Sequence, residues 1–143
     1  MQVIKRNGQR QDVVFDKITE RIKNLTLKSP PLINVNVILI AQKVVSGLTD
    51  GITTSQLDIL AAETAIFMST THPDYATLAS RLTISNLHKE TPSSFEDVCD
   101  ALYNHNTLYK GEMTHTPIIS KHYYDIMKKY NTIIQANINY DYD

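Results

Sequence analysis

The sequence has little cysteine, little glycine and no tryptophan, and these shortages exclude several classes of protein. The single cysteine, Cys99, cannot form an internal disulfide, which excludes a small secreted scaffold held together by disulfides. Four glycines leave no Gly-rich phosphate loop, and neither a Walker loop nor a G-x-G-x-x-G pattern occurs. The apolar runs are far shorter than the ~20 residues of a membrane-spanning helix. The N-terminus lacks the apolar run of a signal peptide. We therefore expect a cytoplasmic globular protein.

Neither sign of charge is in clear excess over the whole chain, but the charged residues are unevenly distributed. The 14 basic and 15 acidic residues argue against a protein that coats nucleic acid electrostatically. Residues 1–28, however, carry seven Lys or Arg against three Asp or Glu. The five histidines show neither i, i+4 spacing nor a companion cysteine, so we expect no zinc site. The positive charge at the front of the chain is the feature that calls for an explanation.

The front of the chain predicts a hairpin followed by a helix. Asn7 and Gly8 separate two alternating segments and favour a type I′ turn, in which both central residues have positive φ. Asp16 is the predicted N-cap of the first helix, which should end before the prolines at 30 and 31. The apolar stripe of this helix consists of Ile18, Ile22 and Leu25.

Three further helices are predicted in the next sixty residues. Asn36 caps the second, which should stop near Gly51, and the capping box TTSQ at 53–56 opens the third. Pro73 suits the first turn of the fourth. The predicted inward faces are Val37, Ile40, Ala41, Val44 and Leu48, then Leu57, Leu60, Ala61, Thr64 and Met68, and finally Tyr75, Leu78, Ala79 and Leu82. The fold class is therefore mainly α (α+β), with a small sheet covered by about four helices.

A linker, TPSS at residues 91–94, predicts a division of the chain. We expect a compact unit over residues 1–91 and an incomplete helical region over residues 92–143. Two helices are predicted in the second region. They are marked by Phe95, Val98, Cys99 and Leu102 and by Tyr123, Met127, Tyr130 and Ile134.

Cationic side chains and helix ends are the chemistry that the residues offer. Lys5 and Arg6 at the hairpin, the hydroxyl-rich start of the third helix and Lys89 could together hold a triphosphate, because helix N-termini present free N–H groups. The structural alternative stays open at this point. In that reading the hairpin cations are solvated, Asp58 is a first-turn anion and Lys89 complements a helix C-terminus.

Three segments carry a resemblance to a known family. VIKRNGQRQDVVFDKIT, GLTDGITTSQLDILAAETA and THPDYATLASRLTISNLHKET resemble the ATP-cone that begins the large subunit of class I ribonucleoside-diphosphate reductase in its eukaryotic and viral form. The resemblance is dense over residues 1–91 and weaker through FEDVCDALYNHN and PIISKHYYDIM. It implies an allosteric site for ATP as activator and dATP as inhibitor, with Mg²⁺ on the phosphates. It also implies other reductase subunits as partners, including the small radical-bearing subunit indirectly.

The resemblance implies a nucleotide site at ten positions. Lys5 and Arg6 match a phosphate-binding pair, and Asp58 matches the acid that discriminates between the two effectors. Gln11 stands where the family usually has Glu, which places the ATP and dATP preference in question. The remaining implied positions are Val14, Asp16 and Lys17 alongside the nucleotide, Val45 near the base, Thr54 at the start of the third helix and Lys89 at a phosphate.

The family's large subunit carries its redox cysteines in a catalytic barrel, so we expect this chain alone not to reduce a nucleotide. Its expected role is regulatory, in deoxyribonucleotide synthesis for DNA replication. A nucleotide-sensing transcriptional repressor with a zinc ribbon would need paired cysteines, and only Cys99 is present. A cone that has lost or altered nucleotide sensing and serves as a protein interaction module stays open, and Gln11 favours it.

Overall fold

The computed structural model describes residues 1–139 and shows a mainly α fold with two small sheets, which confirms the predicted fold class. The chain divides into two compact units, of which the first is Met1–Leu87 and the second begins at His88. Each unit is described by itself below.

The first unit begins with a three-stranded sheet. Strands β1 (Gln2–Ile4) and β2 (Arg10–Asp12) form the predicted antiparallel hairpin. The short strand β3 (Ile52–Thr53) pairs parallel to β1, so the strand order is β2-β1-β3. The parallel pairing places residues 52 and 53 beside the hairpin, although they are some fifty residues from β1 along the chain. Val3 of β1 is buried.

The hairpin turn differs from the predicted type I′ turn. The Gly8 amide donates to the Lys5 carbonyl at 2.8 Å, and Gly8 has φ +80°. Among residues 1–139, Lys110 is the one non-glycine residue with positive φ, so Asn7 does not have it. This is the pattern of a three-residue loop with a left-handed glycine at its end. Because the Asn7 side chain accepts the Gln9 amide proton at 3.1 Å, Asn7 stabilises the loop without adopting positive φ.

Four helices cover the sheet in the first unit. They are α1 (Phe15–Thr26), α2 (Val37–Ser46), α3 (Thr54–Phe67) and α4 (Asp74–Glu90), with a 3₁₀ turn at Met68–Thr70. Burial of Ile18, Ile22 and Leu25 confirms the predicted stripe of α1. The core of this unit also contains Ile40, Ala41, Val44, Leu48, Ala61, Ala62, Ala65, Met68, Tyr75, Leu78, Ala79 and Leu82.

Two of the predicted helix caps are confirmed and one is wrong. Asn36 accepts the Leu39 amide proton at 3.0 Å, and Thr53 and Gln56 form a complete capping box. Asp16 is not the N-cap of α1, because Val14 occupies that position and Asp16 lies in the first turn. The sheet ladder ends at Val13, whose amide donates to the Met1 carbonyl, so the helix starts immediately after it.

Helix α2 ends earlier than predicted, and the face of α3 that meets the core is the predicted one only in part: Ala61 and Met68 are in the core, and Leu57 and Leu60 pack against it. Gly47 is the C-cap of α2, four residues before Gly51. The buried residues of α3 are Asp58, Ala61, Ala62 and Ala65, while Leu57, Leu60 and Thr64 are half-buried. Ala61, Ala62 and Ala65 therefore supply much of the buried side of α3, and the larger Leu57 and Leu60 lie at the margin of the core.

The second unit contains two helices and a hairpin that the sequence analysis missed. Helix α5 (Phe95–Tyr103) follows the predicted linker, and α6 (Lys121–Asn137) follows the hairpin. Strands β4 (Asn106–Tyr109) and β5 (Glu112–His115) are joined by Lys110 and Gly111, with φ 49° and 87°. This two-residue turn has the positive φ values of type I′, but lysine in the place of asparagine weakened its signal.

The residues that marked helix α6 in the sequence differ in their burial. Tyr123 and Tyr130 are exposed, whereas Met127 is half-buried with its sulfur 3.6 Å from that of Cys99. Cys99 is buried, and burial raises the pKa of its thiol. Over residues 1–139, none of the helices combines the length and the apolar character that a bilayer crossing needs.

Candidate functional site

A small cavity lies between the hairpin, the start of α1 and the start of α3. Its volume is about 130 Å³. Four of the residues that the resemblance implied line it, namely Gln11, Val14, Lys17 and Thr54. The other lining residues are Val3, Asp12, Val13, Ile18 and Leu57. Positions separated by more than forty residues in the sequence therefore meet at one concave surface.

Backbone pairing and the capping box place Thr54 at this cavity. Ile4 of β1 pairs with Thr53 of β3, which sets the first residue of α3 against the hairpin. Thr53 accepts the Gln56 amide proton at 3.1 Å, and the Gln56 side chain accepts the Thr53 amide proton at 3.0 Å. Because this box uses the Thr53 hydroxyl, the neighbouring Thr54 hydroxyl is left to other partners.

Arg6 connects the hairpin turn to α3 and α4. Its guanidinium donates to the Thr54 hydroxyl at 3.4 Å and to the side-chain oxygen of Asn86. The same group lies 3.7 Å from the nearer carboxylate oxygen of Asp58. The Arg6 side chain is 30% exposed, so one side of this cation still faces solvent. Arg6 is thus the residue that joins the cavity wall, through Thr54, to a buried carboxylate.

Asp58 is held by a second arginine as well. The Nε and Nη2 atoms of Arg21 donate to the two carboxylate oxygens of Asp58, each at 3.2 Å. The Arg21 Nη2 atom also donates to the hydroxyl of Ser85 at 3.0 Å. Only 9% of the Asp58 side chain is exposed. Asp58 is therefore buried beyond the first turn of α3, so the alternative that makes it a first-turn anion is wrong.

These contacts form one group, which we call the arginine cluster. Asn86 is buried and donates to the Ser55 hydroxyl at 3.3 Å, which closes the link between α3 and α4. The members of the cluster are Arg6, Arg21, Thr54, Ser55, Asp58, Ser85 and Asn86.

Sequence reasoning missed three members of the arginine cluster, namely Arg21, Ser85 and Asn86, and named Ser55 only as part of the hydroxyl-rich start of α3. A signal for two of them was present. Arg21 follows Ile18 by three residues, and Asn86 follows Leu82 by four, so both continue the apolar stripes of α1 and α4. A polar residue at a core-facing position needs a buried partner. The periodicity did not reveal which partner, and Ser85 carried no comparable signal.

The remaining implied residues do not all reach the cavity. Lys5 is exposed in the hairpin turn directly before Arg6. Asp16 is exposed in the first turn of α1, outside the cavity lining, and Val45 packs against the hydrophobic core. Lys89 lies in the last turn of α4, within the second unit, where a cation complements the helix C-terminus.

A larger cavity of about 580 Å³ lies between α3 and α4. Asp58 and Asn86 contribute to its lining, together with aliphatic residues such as Ile59 and Ile66. Among the residues implied by the resemblance, Asp58 alone lines it. The arginine cluster therefore touches the small cavity through Thr54 and the larger one through Asp58 and Asn86.

The small cavity and its surroundings can bind an anion that carries a flat apolar group. Val3, Val14 and Leu57 offer apolar walls, and Gln11 offers an amide that can donate and accept hydrogen bonds. Lys17 in the lining and Lys5 and Arg6 in the turn supply positive charge. The starts of α1 and α3 add the positive ends of two helix dipoles.

Comparison with known proteins gives a consistent result. The chain matches, over its whole length, a "Ribonucleoside-diphosphate reductase large subunit" of Monkeypox virus at 46% identity and one of Danio rerio at 47%, covering 18% of each relative. A large chain from Saccharomyces cerevisiae is 43% identical, with 16% of it covered. The chain thus spans less than a fifth of these relatives. The family model described as the ATP cone domain matches residues 1–90, which supports a nucleotide-binding regulatory role. The chain belongs to the ATP-cone domain family.

Proposed function

We propose that residues 1–91 form the allosteric ATP and dATP site of a ribonucleoside-diphosphate reductase large subunit and control the overall activity of that enzyme. The observation that carries this proposal is the meeting of Gln11, Val14, Lys17 and Thr54 at one cavity, which Arg6 links to Asp58. ATP would activate and dATP would inhibit. The chain itself contributes regulation rather than the redox chemistry.

The size of the cavity suggests how the nucleotide is divided over the surface. Ligand pockets that enclose a whole drug-sized molecule have volumes of about 300–1,000 Å³. A cavity of about 130 Å³ suits a base alone. The base would lie against Val14 and Gln11, with the Gln11 amide oxygen accepting from the adenine amino group. The triphosphate would then extend over the open surface beside Lys5, Arg6 and Lys17.

Thermodynamic linkage explains how binding at one nucleotide site can either activate or inhibit the enzyme. ATP and dATP differ by the ribose 2′-hydroxyl, so they can shift an assembly equilibrium in opposite directions only through differential affinity for two conformations. A coupling free energy of about 1–3 kcal/mol is typical for allosteric sites. A buried partner that gains or loses one hydrogen bond changes the free energy by a similar amount, about 1–3 kcal/mol. Asp58 is our candidate for this sensing group, since its carboxylate is buried in the arginine cluster.

The partners follow from the same proposal. Reductase large subunits would associate through the helical surface of the first unit, and dATP would favour the inhibited oligomer. The small radical-bearing subunit would be affected indirectly. Magnesium would accompany the nucleotide on its phosphate oxygens, because Mg²⁺ commonly binds through substrate phosphates and retained water.

Replacement of Asp58 by Asn tests the proposal. We expect Asp58→Asn to bind both nucleotides, with a ratio of dissociation constants for ATP and dATP closer to one than in the wild type. Isothermal titration calorimetry with Mg²⁺ measures both constants. Glu63→Gln is the matched control, since Glu63 is an exposed acid on the same helix. An unchanged ratio in Asp58→Asn would remove Asp58 from the sensing role.

The second candidate function is an interaction module without nucleotide sensing. The replacement of the family's usual Glu by Gln11 favours it, because a neutral amide is a weaker acceptor for the adenine amino group than a carboxylate. Under this alternative, the wild-type chain would bind neither nucleotide at millimolar concentration. The same calorimetric titration of the wild type therefore distinguishes the two candidates.

A further inference from the structure

Arg21 is a residue that neither the sequence motifs nor the resemblance singled out, yet it contacts both carboxylate oxygens of Asp58. Both of its bonds to the carboxylate are 3.2 Å long and run to different oxygens. This two-point contact fixes the plane of the carboxylate as well as its position. Arg6, in contrast, approaches one oxygen at 3.7 Å.

Arg21 is itself held in place from two directions. Its helix is anchored in the core by Ile18, Ile22 and Leu25, which lie on the same side of α1. Its guanidinium also donates to Ser85 on α4 at 3.0 Å. The Arg21 side chain is 27% exposed, close to the 30% of Arg6, so its contacts rather than its burial distinguish it. Arg21 therefore joins α1, α3 and α4 at the Asp58 carboxylate.

The two arginines differ in their access to a ligand. Arg6 extends from the exposed hairpin turn and also contacts Thr54, which lines the small cavity. An anion bound in that cavity can therefore compete with Asp58 for the Arg6 guanidinium. Neither arginine lines the cavity, but Arg21 contacts Asp58 from α1 and Ser85 on α4, and neither of these lines the cavity. If phosphates draw Arg6 away, Arg21 still neutralises a carboxylate that would be costly to leave buried and unpaired.

We propose that Arg21 is the positioning residue that keeps the Asp58 carboxylate aligned, so that the site can distinguish ATP from dATP. This inference rests on the proposed function. Asp58 does not line the small cavity, so a nucleotide there reaches its carboxylate through Arg6, whose guanidinium lies 3.7 Å from the nearer oxygen. A carboxylate fixed by Arg21 holds Arg6 in one direction beside Thr54, so a missing 2′-hydroxyl that changes the position of Arg6 changes the binding free energy.

The experiment compares Arg21→Gln with the wild type, with Lys23→Gln as the control for removing an exposed cation from the same helix. Calorimetry with ATP and dATP in the presence of Mg²⁺ should show that Arg21→Gln moves the ratio of the two dissociation constants about fivefold towards one. Lys23→Gln should keep the wild-type ratio. Circular dichroism melting without nucleotide checks that both variants are folded.

A double variant separates positioning from general loosening of the fold. If Arg21 acts through Asp58, adding Arg21→Gln to Asp58→Asn changes the ratio no further. A nucleotide-free measurement is the NMR signal of the Arg21 Nε–H group, which should shift in Asp58→Asn and stay in place in Glu63→Gln. Independent, additive effects on the ratio, or an Arg21 signal that ignores Asp58→Asn, would overturn the inference.

The outcomes for Arg21 and for the proposed function are distinguishable. A wild-type chain that binds neither nucleotide contradicts the proposed function and the inference that rests on it. A wild type that discriminates between ATP and dATP, with an Arg21→Gln variant that discriminates equally well, overturns the role of Arg21 alone. Equal wild-type affinities for the two nucleotides also overturn the inference, while nucleotide binding stands.

Discussion

Arg6 and Lys5 are neighbours in one turn, but the fold gives them different surroundings. Arg6 turns towards α3 and α4 and contributes to the arginine cluster, whereas Lys5 remains exposed. Arg6 can therefore affect both the fold and the ligand, because its side chain already has partners in the protein. Replacement of Lys5 therefore tests phosphate binding with less effect on the fold than replacement of Arg6.

At the residue scale we predict that Lys5→Ala weakens ATP and dATP binding by a similar factor. The loss of a charge-assisted hydrogen bond to phosphate, which every nucleotide triphosphate shares, should lower both affinities about tenfold. Calorimetric titration gives the two constants. Lys28→Ala is the control, because Lys28 is an exposed cation outside the cavity lining. Full affinity in Lys5→Ala would mean that the phosphates bind elsewhere.

Among the elements, α3 depends on its capping box for the placement of Thr54. The box satisfies amides at the start of the helix and fixes the angle at which the chain leaves β3. The first turn of α3 contributes to the small cavity, and the next turn carries Asp58. The helix start therefore couples local stability to the geometry of the site.

We predict that Thr53→Ala destabilises the first unit by about 1 kcal/mol, the usual cost of losing a threonine cap. The change should also weaken nucleotide binding, since the start of α3 would fray. Urea unfolding followed by circular dichroism measures the first effect, and calorimetry measures the second. Ser94→Ala removes the corresponding cap of α5 in the second unit and should leave nucleotide affinity unchanged. A normal affinity in Thr53→Ala would show that the box does not control the site.

The start of α4 carries an acid whose ionisation supports the fold. Asp74 accepts hydrogen bonds at 3.1 Å from the backbone amide and from the side chain of Asn34, which ties the segment before α2 to α4. The Asn34 backbone hydrogen bond is the main reason that the pKa of Asp74 lies below its usual value of 3.8. In the second unit, hydrogen bonds from Tyr124 and Lys128 lower the pKa of Asp100 in the same direction.

A pH prediction follows from Asp74. Because its folded pKa is lowered, the contribution of Asp74 to stability is complete above the unfolded value of about 3.8. It is lost as the pH falls through the lower folded value. We expect Asp74→Asn to be less stable than the wild type at pH 7, with a smaller further loss between pH 5 and pH 2. Urea unfolding across this range tests it, with Asp125→Asn on the exposed side of α6 as the control. Parallel acid profiles for the wild type and Asp74→Asn would contradict the assignment.

For the whole molecule, ligand binding and stability are linked. A nucleotide that binds the folded chain but not the unfolded chain stabilises the fold by about 2.7 kcal/mol when its free concentration is 100 times its dissociation constant. We predict that ATP with Mg²⁺ and dATP with Mg²⁺ both raise the unfolding midpoint, and that inorganic tripolyphosphate raises it less because it has no base for the small cavity. Circular dichroism melts at matched ligand concentrations test this. Midpoints that do not move with either nucleotide would favour the interaction module.

Local patterns in the sequence were sufficient for most of the elements in the first unit. The stripe of α1, the Asn36 cap and the capping box at Thr53 all depend on residues within one or two helical turns of each other. Such patterns are specified by helix geometry and by backbone amides that need partners. The positive charge near the N-terminus could also be recognised from the sequence, because Lys5 and Arg6 are adjacent. The resemblance to the ATP-cone was readable from contiguous motifs, and the family match confirms it.

Only the tertiary structure decided which side of α3 is buried and what surrounds Asp58. The contacts of Arg6 with Thr54 and Asn86, and of Arg21 with Asp58 and Ser85, span between 37 and 80 residues. No local periodicity encodes a pairing over such distances. It depends on how the helices pack, and here the packing of α1, α3 and α4 brought the Asp58 carboxylate between Arg6 and Arg21. Local sequence specifies the helices and the charges, whereas helix packing specifies which charges meet.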